Sequence, residues 1–251
     1  MGIINSFDFS GIQWITLLSA ALILGFSKTG INGIFMLSVT IIASGFGAKA
    51  STGMLAPMLL VGDVIAVVYY SRHADWKIIG QILPWLVVGL VIGMAVGKYI
   101  DGRYFKYLIT ISVLVCLLIM TISEIKGGTL KVPERLWFYV LTGIVTGFTT
   151  MVGNAGGPVF TLYLIAKGQN KNNYLGTITW MFFISNLLKV PLQVFFWHNI
   201  DIRTLELSAL MIPAILIGAF IGAYVIKRIN ERPFRIVVIA ATAITAIKLI
   251  L

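Results

Sequence analysis

The sequence predicts an all-α membrane protein made of two similar halves, each a broken or re-entrant segment followed by three transmembrane helices, the halves inverted copies of each other. Three observations predict it. Of 251 residues, 59% are hydrophobic and only 11% charged, against about 45–50% and about 25% in a soluble domain; one buried core cannot absorb that excess, so lipid must cover the remainder. Apolar runs long enough to cross a bilayer recur along the chain. Two glycine-rich polar interruptions fall at matching places in the two halves.

The net charge of +10 sits mostly between the apolar runs, where it is the charge expected of cytoplasmic loops. No basic patch is interleaved with aromatic residues, which argues against a nucleic-acid partner. The single cysteine, Cys116, lies inside the run Leu108–Ile122; it has no partner for an intrachain disulfide and no metal-ligand companions, and is expected to be a packing residue. The stretch before Ile12 contains no Lys or Arg, so the basic region of a secretory signal is missing from it.

A helix needs about 20 apolar residues to cross the hydrocarbon core. Thr52–Tyr70, Ile78–Ile100, Tyr104–Ser123, Tyr174–Phe196, Leu205–Ile226 and Phe234–Leu251 qualify. Ile12–Ser44 and Trp137–Ala166 are too long for one simple span. They are interrupted by Ser27-Lys28-Thr29-Gly30-Ile31-Asn32-Gly33 and by Thr149-Thr150-Met151-Val152-Gly153-Asn154-Ala155-Gly156-Gly157-Pro158.

The halves match at fixed spacings. Gly25-Phe26-Ser27 followed by Asn32 matches Gly147-Phe148-Thr149 followed by Asn154, at an offset of 122. Pro84, Gly89, Gly93, Lys98, Arg103 and Phe105 match Pro213, Gly218, Gly222, Lys227, Arg232 and Phe234, at an offset of 129. The chain accordingly divides into a first repeat over 1–123, a polar linker over 124–135 and a second repeat over 136–251.

Two topologies compete. If each broken segment is a re-entrant hairpin, the halves are inverted; if each is a kinked crossing, they are parallel. Loop lysines and arginines favour the first. Leaving aside Lys28 and Lys189, hairpins divide the remaining 17 basic residues 11 to 6, whereas kinked crossings divide them 10 to 7. Both arrangements put Lys227–Arg235 inside and both termini outside. As helices, Ile12–Phe26 and Ile34–Ser44 would reach about 22 and about 16 Å, short of a bilayer core. Hairpins entering from opposite faces would bring Asn32 and Asn154 towards each other near the midplane.

Non-helical backbone at membrane depth is tolerated only where protein or a water-filled cavity satisfies its polar groups, and matched breaks in two repeats point to a transporter's binding site. The chemistry at these breaks suits an anion. Helices restarting after Gly33 and after Gly156-Gly157 offer unpaired N–H groups and the positive end of a dipole, with Pro158 suited to a first helical turn. Ser27, Thr29, Asn32, Thr149, Thr150 and Asn154 add neutral donors, and Lys28 adds a positive charge. Packing alone would explain Gly89, Gly93 and Gly97, or Gly218 and Gly222; it does not require hydroxyls and an Asn around the glycines twice.

Asp63 and Lys189 are ionisable residues within apolar spans, and such residues are functional candidates. A short carboxylate cannot snorkel, so Asp63 is expected to carry a proton, bind a coupling cation or neutralise Lys28. Lys189 has the length to snorkel from about 10 Å below the surface. Asn186 aligns with Asp63 at an offset of 123 and keeps a polar group at the corresponding place. His73 and His198 are expected to be interface residues.

At Gly25-Phe26-Ser27-Lys28-Thr29-Gly30, at Gly147-Phe148-Thr149 leading to Gly153-Asn154-Ala155-Gly156-Gly157-Pro158, and in its duplicated architecture, the chain resembles the sulfite exporter TauE/SafE family, also called toluene-sulfonate uptake permeases. The resemblance covers nearly the whole chain. It implies secondary transport of small sulfur-containing anions, such as sulfite or organosulfonates, by about eight membrane segments. One departure is that Lys28 corresponds to Thr150, so the second break lacks a charge.

The expected function is therefore a secondary transporter of small anions in the cytoplasmic (inner) membrane, working by alternating access; an anion or small-solute channel is the alternative. The expected partners are the anion, a coupling proton or cation, and lipid, with no cofactor and no metal. The GxxxGxxxG face of Gly89, Gly93 and Gly97 would serve a homodimer as readily as an intrachain contact. An enzyme is not expected: the chain has no HExxH, GxSxG or Cys/His cluster, and no second carboxylate deep in a span to work with Asp63.

Overall fold

The computed structural model describes residues 7, 9–29, 34–101, 135–167, 169 and 171–225, with isolated helical positions between 103 and 122. Asn32, Gly33, Cys116, most of the expected span Tyr104–Ser123 and all of Phe234–Leu251 lie outside the described residues. The described elements are helical: α1 (Gly11–Thr29), α2 (Phe35–Phe46), α3 (Ala48–Tyr70), α4 (Trp76–Tyr99), α5 (Leu136–Gly153), α6 (Gly157–Ala166), α7 (Lys171–Leu192) and α8 (Ile202–Val225). A short 3-10 turn, Ser71–His73, joins α3 to α4, and α7 continues into a π-helical turn, Gln193–Trp197. Both histidines, His73 and His198, are exposed at these turns.

Six of these helices are long and apolar enough to cross a membrane: Gly11–Thr29, Ala48–Tyr70, Trp76–Tyr99, Leu136–Gly153, Asn172–Trp197 and Ile202–Val225. The second, third, fifth and sixth are expected spans. α1 and α5 differ from expectation, because they run through the polar residues that were read as breaks. With 19 and 18 residues they reach about 28 and 27 Å, α1 exceeding the about 22 Å expected of Ile12–Phe26. The hydroxyls explain the continuation. Ser27 donates to Leu24 O at 2.7 Å and Thr149 to Val145 O at 2.7 Å, so each polar side chain is satisfied by the turn below it without leaving the helix. α1 ends at Thr29 and α2 begins at Phe35, and between α5 and α6 only 154–156 are outside a helix.

The shorter helices turn back along their predecessors. Ser38 of α2 donates to Ala20 O at 2.9 Å, and the Phe46 ring meets Phe9 near the start of α1. In the second half, Tyr163 of α6 packs on Phe138 and Tyr139 at the start of α5, and Lys167 Nζ donates to Tyr139 Oη at 3.4 Å. α2 and α6 have 12 and 10 residues, about 18 and 15 Å. Each ends beside the start of its predecessor.

Side-chain contacts also fix the directions of the other helices. α3 and α7 are antiparallel. At one end of the bundle Asn199 Nδ2 donates to Lys49 O and to Thr52 Oγ1; at the other the Asp75 N–H donates to Thr177 Oγ1 at 2.8 Å. α1 packs parallel to α8 and α5 parallel to α4, with glycines at the crossings. A Cβ on Gly25 would lie 1.9 Å from Ile215 O, and one on Gly147 would lie 2.0 Å from Leu86 O. Cβ atoms on Gly218 and Gly89 would meet Leu22 O and Ile144 O at 2.1 and 2.2 Å. The α1/α8 contacts and the α5/α4 contacts are the same at offsets of 122 and 129. α1 and α3 run from the Asn199 end to the Asp75 end, while α5 and α7 run the opposite way. Gly89 and Gly93 are thus taken up by an intrachain contact with α5.

α8 starts from a reciprocal cap. The Asp201 carboxylate accepts from the Thr204 N–H at 2.8 Å and from its hydroxyl at 2.7 Å. These bonds, the hydroxyl's first, hold the Asp201 carboxyl below its ordinary pKa. A depressed carboxyl stabilises the fold above its unfolded pKa and loses that contribution as pH falls through the folded one. Asp201→Ala is expected to lower stability by about 0.5–2 kcal/mol at neutral pH. Thermal unfolding checks this, and the deficit should shrink in acid.

Candidate functional site

The second break is shaped by one residue. Asn154 closes α5 in the left-handed conformation, φ 54° and ψ 26°, a state that Asn tolerates better than other non-glycine residues. Its N–H donates to Thr150 O at 3.1 Å, and the Ala155 N–H donates to Thr149 O at 2.9 Å. The chain then passes tight against α5: a Cβ on Gly156 would lie 2.0 Å from Thr150 Oγ1. Gly156 is therefore a close-approach glycine. α6 starts at Gly157, where a Cβ would meet nothing within 4 Å.

Ser27, Lys28, Phe35, Leu59, Thr150, Asn154, Gly157, Phe182 and Asn186 line a cavity of about 30 Å³, room for about two waters. α2 begins at Phe35 and α6 at Gly157, so two helix N-termini border it. Both favour negative charge.

Three charged side chains cluster here. Lys28 pairs with Asp63, and Asn186 Nδ2 donates to the other carboxylate oxygen, Oδ2, at 2.6 Å. Gly62 makes the pair possible: Lys28 Cγ lies 3.0 Å from where a Cβ on Gly62 would sit. The Lys28 ammonium is 5.9 and 6.0 Å from the ring centroids of Phe35 and Phe182, within cation–π range. Lys189 does not snorkel, although its length would allow it. It is 0% exposed, and its ammonium donates to Asn154 Oδ1. Asp63 is 1% exposed. With both lysines protonated, two positive charges, that of Lys189 fully buried, face one buried negative charge.

Neutral groups complete the site. Thr150 Oγ1, Asn154 Nδ2 and Asn186 Oδ1 are buried polar atoms without a protein partner, each on a residue that lines the cavity. Such orphans are costly unless water or a ligand meets them. Hydroxyl, amide and ammonium donors together suit an oxyanion. Among the described residues, no three His, Cys, Asp or Glu side chains come together.

The cavity thus gathers Ser27, Lys28, Thr150, Asn154, Gly157 and Asn186 from the residues singled out in the sequence, with Asp63 and Lys189 bonded to members of that set. Three others, Thr29, Thr149 and Gly156, point elsewhere. The Thr29 hydroxyl donates to Ala219 O at 2.6 Å, and the hydroxyl protons of Ser27 and Thr149 go to carbonyls of their own helices. Gly156 packs against α5. Phe35, Leu59, Phe182 and Gly62 were not expected here. Phe182 lies on the same α7 stripe as Asn186 and Lys189, four and seven residues before them; that periodicity was the available signal.

A family model described as sulfite exporter TauE/SafE matches residues 17–249. No curated protein and no solved structure matches the chain. The chain belongs to the TauE/SafE sulfite exporter family: it is an integral membrane protein of a transporter family.

Proposed function

From that membership, we propose that the chain is a secondary transporter of a small sulfur-containing anion, sulfite or an organosulfonate, and that the anion binds in the cavity between Lys28 and Asn154. The observation that carries this reading is the side-chain balance, two lysines, one of them fully buried, to one buried carboxylate, at a cavity bordered by two helix N-termini. A monoanion would neutralise the excess. It would meet the Lys28 ammonium, the Thr150 hydroxyl and the Asn154 amide N–H without bringing its own partner.

The halves are read as inverted repeats, supported by the opposite directions of α1 and α5 and by the glycine contacts that recur at fixed offsets. Asp63 and Asn186, equivalent positions at an offset of 123, touch each other, as residues beside a two-fold axis do. Rocking of one half against the other about this point would expose the cavity to each face in turn. The excess of basic loops at the Asp75 end supports a cytoplasmic location for that end, in the cytoplasmic membrane.

Asp63 is the coupling residue in this account. An anion arriving at Lys28 competes with Asp63 for the ammonium, and the released carboxylate takes a proton or a cation. Asp63→Asn is expected to bind sulfite but to lose at least about tenfold in ion-driven accumulation. Currents from proteoliposomes on a solid-supported membrane, challenged with sulfite, sulfate, taurine, sulfoacetate and chloride at two pH values, check both points. A saturable, selective current is expected. Silence to every anion would contradict transport of this class, and full ion-driven accumulation by Asp63→Asn would remove its coupling role.

A further inference from the structure

Gln193 is 0% exposed, and both polar atoms of its side chain, Oε1 and Nε2, are buried without a partner. A buried amide with neither group satisfied is costly, and the fold does not demand it. At the offset of 123 that relates Asp63 to Asn186, the first half has Tyr70, whose hydroxyl donates to Thr29 O at 2.7 Å. One half satisfies its polar group at this position and the other leaves it open.

The position continues the α7 face that lines the cavity. Phe182, Asn186, Lys189 and Gln193 follow at spacings of four, three and four on one face of α7. The first two line the cavity. Lys189 is fully buried and donates to Asn154 Oδ1, one of an ammonium's three donors. Gln193 lies one turn further, about 6 Å along the axis, towards the Asn199 end. It opens the π-helical turn Gln193–Trp197, a local widening often found at functional sites. That turn is anchored beyond it, where Trp197 Nε1 donates to Met94 O at 2.9 Å.

We propose that Lys189 and Gln193 form a second station for the transported oxyanion, between the central cavity and the Asn199 end. The Gln193 amide N–H and the ammonium of Lys189 donate to the anion's oxygens, and Gln193 Oε1 accepts from its hydroxyl or from a water travelling with it. The station rests on the transport reading above, and it separates binding from movement: Gln193 does not line the cavity, so its loss should slow passage without weakening capture.

The test uses the full chain in proteoliposomes with sulfite as probe. Gln193→Met keeps the side chain's length and removes the amide. Its equilibrium affinity for sulfite is expected to stay within about threefold of the parent, while its initial flux falls at least about tenfold. Parental flux in a folded Gln193→Met protein would overturn the station and leave the cavity site standing. A parent that neither binds nor moves sulfite would overturn the transport reading and the station with it. As a second measurement, Gln193→Cys is made with Cys116, the only cysteine, replaced by Ser. A sulfonate-bearing methanethiosulfonate is expected to label position 193, and sulfite is expected to slow the labelling. A thiol there that stays unlabelled would count against the station even if the Met variant does not fold.

Discussion

Lys28→Met is expected to weaken sulfite binding at least about a hundredfold, roughly 2.7 kcal/mol. Lys28 is the charge that the anion would meet directly: it lines the cavity, 13% exposed, whereas Asp63 behind it is 1% exposed. The variant also strands Asp63, and an uncompensated buried charge costs about 3–5 kcal/mol. Loss of binding in Lys28→Met alone could therefore be loss of fold. Lys28→Met with Asp63→Asn separates the two. Asn at 63 removes the stranded charge and can still bond Asn186, so thermal stability should return to near the parent's while sulfite affinity does not. Titration calorimetry together with thermal unfolding on the three proteins checks this. Recovery of binding in the double variant would show that Lys28 serves the fold through Asp63 and does not meet the anion.

Gly25→Ala and Gly147→Ala are expected to be the most damaging single-methyl additions among the described glycines. Each new Cβ would fall 1.9 or 2.0 Å from a backbone carbonyl oxygen of the facing helix, and a carbonyl cannot turn aside as a flexible side chain can. The helices must separate, which gives up close packing over the whole α1/α8 or α5/α4 crossing, the main source of helix association in lipid. Overpacking of this kind costs about 1–3 kcal/mol or more, against less than about 1 kcal/mol regained from alanine's helix propensity. Gly80 is the control, because a Cβ there meets nothing within 4 Å; Gly80→Ala should be neutral or mildly stabilising. Melting temperatures in one detergent would order the three variants, and a Gly25→Ala protein as stable as Gly80→Ala would contradict the packing described.

The apolar spans were legible because length and hydropathy are local properties; Thr52–Tyr70 and Ile78–Ile100 fall within or a residue beyond α3 and α4. Matching offsets pointed to residues that meet: Asp63 and Asn186 share a hydrogen bond across 123 positions. The extent of the breaks was less legible. A hydroxyl in a glycine-rich stretch looks free on paper, but Ser27 and Thr149 bond their own helices and keep them going. Lys189 was ambiguous for a similar reason. Side-chain length told how far it could reach, and only the position of Asn154 Oδ1 decided the direction. Phe35 and Leu59 carried no signal, since an apolar residue that faces a cavity looks the same in sequence as one that faces lipid; Phe182 carried only its spacing from Asn186 and Lys189. Gln193 did carry one, as a polar amide inside an otherwise apolar run.

In the proposed transporter a small oxyanion sits where the two returning helices begin, between Lys28 and Asn154. Selenite, the heavier congener of sulfite, scatters anomalously and would locate the anion directly in crystals of the full chain. One strong peak is expected in the cavity, within hydrogen-bonding distance of Lys28 Nζ, Thr150 Oγ1 and Asn154 Nδ2. Selenite bound in competition with sulfite but located away from this cavity, with Lys28 still paired to Asp63, would contradict it.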